Sequence, residues 1–293
     1  MPRPVQMRLN REPASQPAVS PTRLHGTLAT LIDRLDASIE EEMDVIRWGC
    51  PVLSFGNLSI SRVATMGLNP SNREFVDESG NELEGPSRRF HTLKSLRLSS
   101  WAEVDARHLE LILQCCSEYF LGNPYDLWFK KLDQVVQGTE TSFYDPVCSA
   151  CHLDLIPYAT SRKWTELTSV QRSGLLSVAA DTLALLLLDS PIRVLILNGQ
   201  TVVDHFQDIA GISLQRQPMS EWTLARSSGR DISGYAYYGR VSTMRGVDLT
   251  QEVMVLGYNH NLQSSFGVTN EAIKGIRDWI SRTVGEATRE TFG

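Results

Sequence analysis

Hydrophobic residues along this chain fall into two kinds of run, and the two kinds alternate. Runs with helical spacing predict helices over 24–46, 105–121, 126–137, 167–188, 200–210 and 269–285. Short apolar runs predict strands over 51–56, 62–68, 151–159, 192–199 and 252–260. The run at 192–199 is continuous and β-branched, which is typical of a strand buried on both faces of a parallel sheet. The pattern predicts a single three-layer α/β domain with a mainly parallel sheet of about four strands between helices.

The first 22 residues differ in composition from the rest of the chain. They contain prolines and arginines but no apolar segment of the kind a secretory signal needs. We therefore expect a disordered leader over 1–22 and the α/β domain over 23–293. The longest apolar run, 175–190, is interrupted by Asp181 and is too short for a membrane span. Without an export signal, the five cysteines are expected to be reduced in a cytoplasmic protein.

The net charge of the chain excludes few classes of function. Its value of −6 argues mildly against a protein that coats nucleic acid indiscriminately. Basic residues cluster over 88–97 and again over 226–245, and these are either solvated surface charges or a contact area for phosphates. The polar stretch 72–90 is predicted to be a long loop, and loops of that length in compact domains are usually functional. A second polar loop is predicted over 215–233.

Polar side chains follow the apolar residues of the predicted parallel strands. They are Asn69, Asp154, Asn198, and Asn259 with His260. In open α/β sheets the ligand binds beyond the carboxyl ends of the strands. The sequence therefore predicts one site to which these side chains contribute.

Asn69 stands directly before Pro70, and this pairing restricts its backbone. Proline disfavours the helical region for the residue that precedes it, so Asn69 is expected to be held extended at the strand end. A fixed amide can orient a water molecule without titrating. An ordinary Asn-Pro turn is the alternative.

Four short motifs, in this order, resemble those of the uracil-DNA glycosylase superfamily, particularly its mismatch-specific branches. They are GLNPS at 67–71, RRFHTL at 88–93, HLDLIPY at 152–158 and GYNHNLQSSFGVT at 257–269. The resemblance covers residues 50–285 and implies a uracil-DNA glycosylase-like α/β fold. The last motif lacks the family's Pro-Ser, which leaves two registers open for the residue that faces the base.

The resemblance implies a monofunctional DNA glycosylase that flips a base out of DNA and hydrolyses its N-glycosidic bond. Asn69 would orient the attacking water, and His260 or Asn259 would stabilise negative charge on the leaving base. Phe75 or Phe90 would stack on the flipped base. Leu262 or Gln263 would fill the gap in the duplex. Phosphate contacts are expected from Ser71, Ser264, Ser265, Arg88 and Arg89.

Asp154 stands where uracil-specific relatives have an asparagine. An ionised carboxylate only accepts hydrogen bonds, so it would repel O4 of uracil and accept from the N4 amino group of cytosine. Since ordinary cytosine must be spared, the substrate would be a modified cytosine. The chain thus resembles antiviral glycosylases that excise glucosylated hydroxymethylcytosine from phage DNA. A protonated Asp154 would instead suit uracil, and a purely structural aspartate is also open.

Three other functions remain open from the sequence. These are uracil or mismatch excision in DNA repair, a catalytically inactive nucleic-acid-binding protein of the same fold, and hydrolysis of free nucleosides. The cysteines do not have the spacing of the iron–sulfur relatives, and no zinc-ligand set is present, so no metal or cofactor is predicted. A monomer is expected.

Overall fold

The computed structural model describes residues 21–122, 126–145, 149–226, 229–263 and 267–292 of the chain. Its strands are β1 (Val63–Gly67), β2 (Ala150–Asp154), β3 (Val194–Asn198), β4 (Gln215–Leu224), β5 (Ile232–Met244) and β6 (Val247–Tyr258). Its α-helices are α1 (Pro21–Ala37), α2 (Leu93–Leu96), α3 (Ala106–Ser117), α4 (Tyr119–Gly122), α5 (Asp126–Val136), α6 (Ser169–Val178), α7 (Thr182–Leu188), α8 (Gln200–Ala210) and α9 (Asn270–Phe292). The α/β class is as predicted, and the predicted leader lies almost entirely outside the described residues.

The strands form one mixed sheet in the order β2-β1-β3-β6-β5-β4. The first four pair in parallel, whereas β5 and β4 are antiparallel additions at the β6 edge. The predicted four strands thus correspond to the parallel part, and the total of four is wrong because the sheet has six. Every residue of β1, β2 and β3 is buried, as expected for strands covered by helices on both faces.

The polar stretch 215–233 is not a loop, because most of it forms strand β4. Its side chains are mostly exposed, so its sequence lacks the apolar run by which the other strands are recognised. β5 follows it and turns into β6 at Arg245 and Gly246, both of which have positive φ. By contrast, the predicted strand 51–56 contributes only an isolated antiparallel bridge between Phe55 and His152.

The apolar stretch 167–188 was predicted as one helix and forms two, α6 and α7. By length and composition alone, Ser169–Leu188 is the one stretch of the described residues that could cross a membrane. In the fold it breaks around residues 179–181, and α7 packs against β6 and α1. The apolar composition of α7 is therefore that of a core helix.

The remaining helices complete the cover of the sheet. Helix α8 contacts β3, β5 and β6, α5 contacts β1, and α9 packs on β4 and α5. Helix α8 begins directly after Gly199, whose φ of 98° favours glycine. This places the start of α8 at the carboxyl edge of the parallel strands.

Removal of a core side chain at the middle of the sheet should destabilise the whole domain. Ile196 on β3 is fully buried, so Ile196→Ala should lower the free energy of unfolding by about 2–5 kcal/mol. Val170→Ala, which truncates a side chain that is 80% exposed on α6, should change it by less than about 0.5 kcal/mol. Urea denaturation of both variants checks this, and equal losses would contradict the assigned core.

Candidate active site at the carboxyl ends of the parallel strands

A cavity of about 440 Å³ opens at the carboxyl ends of β1, β2 and β3. Three of the predicted strand-end residues, Asn69, Asp154 and Asn198, line it. Aromatic rings form part of its wall, and the polar lining includes carboxylates, amides and cations. The principal lining residues are Phe55, Trp128, Phe129, Trp164, Asn69, Glu74, His152, Asp154, Arg162, Lys163, Asn198, Asn261 and Gln263.

The Asn69 amide is held in one orientation. Its Nδ2 donates to Thr160 Oγ1 at 3.0 Å and to the Pro70 carbonyl at 3.1 Å. Thr160 is itself buried and donates to the Arg162 carbonyl. Within the described part of the chain no group donates to Asn69 Oδ1. The amide therefore has its nitrogen committed to the protein and its oxygen available as a hydrogen-bond acceptor in the cavity.

Asp154 lies two positions after His152 on β2, so both side chains project from the same face of the strand. His152 Nδ1 lies 2.7 Å from Thr65 Oγ1, and its Nε2 lies 3.4 Å from Asp154 Oδ1. Both residues are buried in the cavity wall. One ring nitrogen of His152 therefore meets the Thr65 hydroxyl, and the other faces the Asp154 carboxyl group.

Gly67, the register partner of Asp154 on β1, makes room for this pair. A Cβ at position 67 would lie 2.4 Å from Asp154 Oδ1 and 3.0 Å from His152 Nε2. Any larger residue would displace the carboxylate or the ring. The glycine of the GLNPS motif is thus required by the side chains opposite it.

Glu74, which the sequence reading did not single out, lines the same cavity and is 3% exposed. Burial raises the pKa of this carboxyl to about 8, and the nearby Asp154 charge adds to the effect. Arg89, whose Nη1 lies 3.9 Å from Oε2, and the Tyr119 hydroxyl, which lies 3.1 Å from both oxygens, oppose the rise in pKa. Glu74 is therefore mainly protonated at pH 7, beside an acidic partner.

The segment after β6 reaches the cavity through residues other than the two predicted ones. Asn261 and Gln263 line the cavity. Asn198 ties this segment down, since its Oδ1 accepts from Leu262 N–H and its Nδ2 donates to Gln263 Oε1 at 2.6 Å. The Gln263 Nε2 is buried and has no partner among the described residues.

Asn259 and His260 face away from the cavity. His260 is 4% exposed, and its Nε2 donates to the Trp222 carbonyl at 2.6 Å. Burial lowers the pKa of this imidazole, so the ring is a neutral structural donor. Asn259 accepts from Tyr235 N–H and donates to the Ser233 carbonyl, fastening β6 to β5. Neither Asn259 nor His260 is among the residues that line the cavity.

Phe75, Phe90 and Leu262 belong to the core rather than to the cavity wall. Phe75 packs edge-on against Trp48, and Phe90 stacks on Tyr119 with ring centroids 5.4 Å apart. Leu262 is fully buried, so it would have to leave the core to act as a wedge. The rings that line the cavity in place of Phe75 and Phe90 are Phe55, Trp128, Phe129 and Trp164.

The predicted phosphate contacts lie in different settings. Ser71 lines the cavity and caps a short 3₁₀ turn by accepting from Arg73 N–H. Arg88 is exposed, whereas Arg89 donates to the Arg73 carbonyl and faces Glu74. Ser264 and Ser265 lie outside the described residues. Arg162 and Lys163, which the sequence reading passed over, bring cations to the cavity.

Two signals in the sequence could have found the missed residues. The long loop 72–90 was predicted to be functional, and it contains Glu74. His152 lies two positions before Asp154, which on a strand means the same face. No sequence signal distinguishes Trp128 or Lys163, because they come from a helix and a loop that reach the cavity only through tertiary packing.

No protein-family model matches this chain, and no curated protein matches it in sequence. The four cysteines among the described residues are free thiols, and no group of three histidine, cysteine or carboxylate side chains there is suited to hold a metal ion. The site must therefore be interpreted from its own geometry.

The pKa of Glu74 predicts how stability varies with pH. The pKa of the Glu74 carboxyl rises from 4.5 to about 8 on folding. Its contribution to the free energy of unfolding is fully present below pH 4.5 and is lost as the pH rises from 4.5 to about 8. Glu74→Gln removes the titration, so the variant should lose less stability than wild type between pH 5 and 8.5. At about 1.4 kcal/mol per pKa unit, the difference should reach a few kcal/mol in urea denaturation.

Glu110→Gln, an exchange at an exposed site on α3, is the control for that measurement and should follow the wild-type curve. Parallel curves for wild type and Glu74→Gln would contradict the raised pKa.

Proposed function

We propose that this protein is a monofunctional DNA glycosylase that hydrolyses the N-glycosidic bond of a modified cytosine. The observation that carries the proposal is the Asn69 amide, whose nitrogen is fixed by Thr160 and Pro70 while its oxygen is free in a cavity that also contains Asp154. The likeness of its motifs to the uracil-DNA glycosylase superfamily points the same way.

In this mechanism Asn69 Oδ1 accepts a hydrogen bond from a water molecule and aims its oxygen at C1′ of the flipped nucleotide. The bond between C1′ and the base breaks, and its electron pair leaves with the base. The water oxygen bonds to C1′ and one water proton ends on the base, so the products are an abasic site and a neutral base. We assign Gln263, which lines the cavity and whose buried Nε2 has no partner among the described residues, as the side chain that would turn to donate to the negative charge that develops on the base.

Asp154 supports an amino base over uracil. As a carboxylate it accepts from an N4 amino group and repels O4. The cavity of about 440 Å³ lies in the range of about 300–1,000 Å³ that small-molecule sites occupy. Trp164, Thr165 and Thr201 also line the cavity, and we assign to them the contacts with a bulky 5-substituent, as in glucosylated hydroxymethylcytosine.

DNA is the proposed partner despite the acidic net charge. Arg162 and Lys163 lie at the cavity, where a flipped nucleotide would bring its phosphates. We propose antiviral defence by a cytoplasmic monomer as the setting. Excision of uracil is the rival function, and it requires a protonated Asp154.

Asn69→Ala should abolish excision while leaving the fold and DNA binding intact. The loss of the oriented water should lower the single-turnover rate at least about 100-fold. Alkaline cleavage at abasic sites measures this on uracil-containing, unmodified and glucosylated hydroxymethylcytosine DNA. Gln114→Ala, which removes an exposed amide on α3, should retain wild-type activity. Wild-type silence on all three DNAs would contradict the proposal and favour a binding protein.

Asp154→Asn should change which base is excised. An amide nitrogen can donate to O4 of uracil, which a carboxylate repels, so uracil excision should rise and modified-cytosine excision should fall, each by about 10- to 100-fold. The ratio of the two single-turnover rates is the measurement. A variant that loses both activities equally, with an unchanged melting temperature, would show that Asp154 does not choose the base.

A further inference from the structure

Glu74 has no role in the mechanism above, yet it occupies the same cavity as Asp154. We propose that Glu74 is a specificity-determining residue that donates its carboxyl hydrogen to the ring nitrogen N3 of a cytosine-type base. This inference rests on the proposed function, because it assumes that a base enters the cavity. In this arrangement Glu74 is the hydrogen-bond donor and Asp154 is the acceptor.

The surroundings of Glu74 support a neutral carboxyl. The side chain is buried against Tyr119, whose ring packs on Phe55 and Phe90. Arg89 is its nearest cation, but at 3.9 Å it is beyond hydrogen-bonding distance and is engaged by the Arg73 carbonyl. The other titratable side chains that line the cavity are Asp154 and His152 on β2, together with Arg162 and Lys163. A carboxyl held neutral by an apolar site can act as a hydrogen-bond donor at neutral pH.

We assign the two carboxyls of the cavity to one base edge. Cytosine presents a donor at N4 and an acceptor at N3 beside it. Asp154 offers an acceptor and protonated Glu74 a donor. Uracil presents an acceptor at O4 and a donor at N3, so it opposes both carboxyls. Two mismatches in place of one make the exclusion of uracil stronger than Asp154 alone provides.

The test compares free 5-hydroxymethylcytosine with its 3-deaza analogue, in which a C–H group replaces N3. Binding of each base to the full-length protein is measured by calorimetry at pH 7 and at pH 9. Wild type should bind 5-hydroxymethylcytosine about tenfold more tightly than the analogue at pH 7. The preference should fall towards unity at pH 9, where Glu74 is ionised. Glu74→Gln keeps a donor without titrating, so its preference should persist at both pH values.

Glu74→Met, which has similar length and no donor, should show no preference at either pH. Circular dichroism and melting temperature establish that each variant is folded, and Glu110→Gln should behave as wild type. The proposal is overturned if wild type binds both bases equally, if it binds neither, or if folded Glu74→Met retains the preference.

This outcome is separable from that of the proposed function. Abasic sites without an N3 preference would leave the glycosylase standing and remove the role of Glu74. An N3 preference without abasic sites on any DNA would support the base reader and remove the glycosylase.

Discussion

Parallel pairing brings the carboxyl ends of neighbouring strands to one edge of a sheet, and in this protein the site depends on that geometry. The register sets Gly67 opposite Asp154 and Asn198 opposite Tyr258. A shift of one residue between β1 and β2 would move Asp154 away from the glycine that makes room for it. Burial of every residue in β1 to β3 penalises such a shift, since it would reverse which face each side chain packs on.

Neighbouring side chains hold several polar groups of the cavity wall in place. Thr160 holds the Asn69 nitrogen, Thr65 holds His152, and Asn198 holds both Leu262 and Gln263. Within the part of the chain that the structure describes, nothing donates to Asn69 Oδ1 and the Gln263 Nε2 has no acceptor. These hydrogen bonds fix the orientation of the side chains that would meet a ligand. Fixed orientation of this kind is what catalysis by proximity and orientation requires.

Glu74 is the second acidic residue of the cavity wall, beside Asp154. Burial raises the pKa of Glu74 to about 8, and the Asp154 charge contributes to the rise. The Glu74 carboxyl is therefore mainly protonated at neutral pH, although the sequence shows only an acid.

Much of the parallel fold could be predicted from the sequence. Apolar runs located β1, β2, β3 and β6, and the residues that follow them located Asn69, Asp154 and Asn198 at the site. The antiparallel strand β4 was missed because an edge strand with exposed side chains lacks an apolar run. The division of 167–188 into two helices was missed because both segments are apolar enough to continue one pattern.

Local sequence determined which residues end the strands, since hydrophobic periodicity and the restriction that proline imposes are properties of neighbouring residues. Tertiary structure alone decided which side chains face the cavity. Asn259 and His260 turn away because β5 and the Trp222 carbonyl satisfy them, while Gln263 turns inward because Asn198 holds it. The pKa of Glu74 is raised mainly by its burial in the folded chain. Orientation and protonation depend on contacts between residues distant in the chain, and no local pattern encodes them.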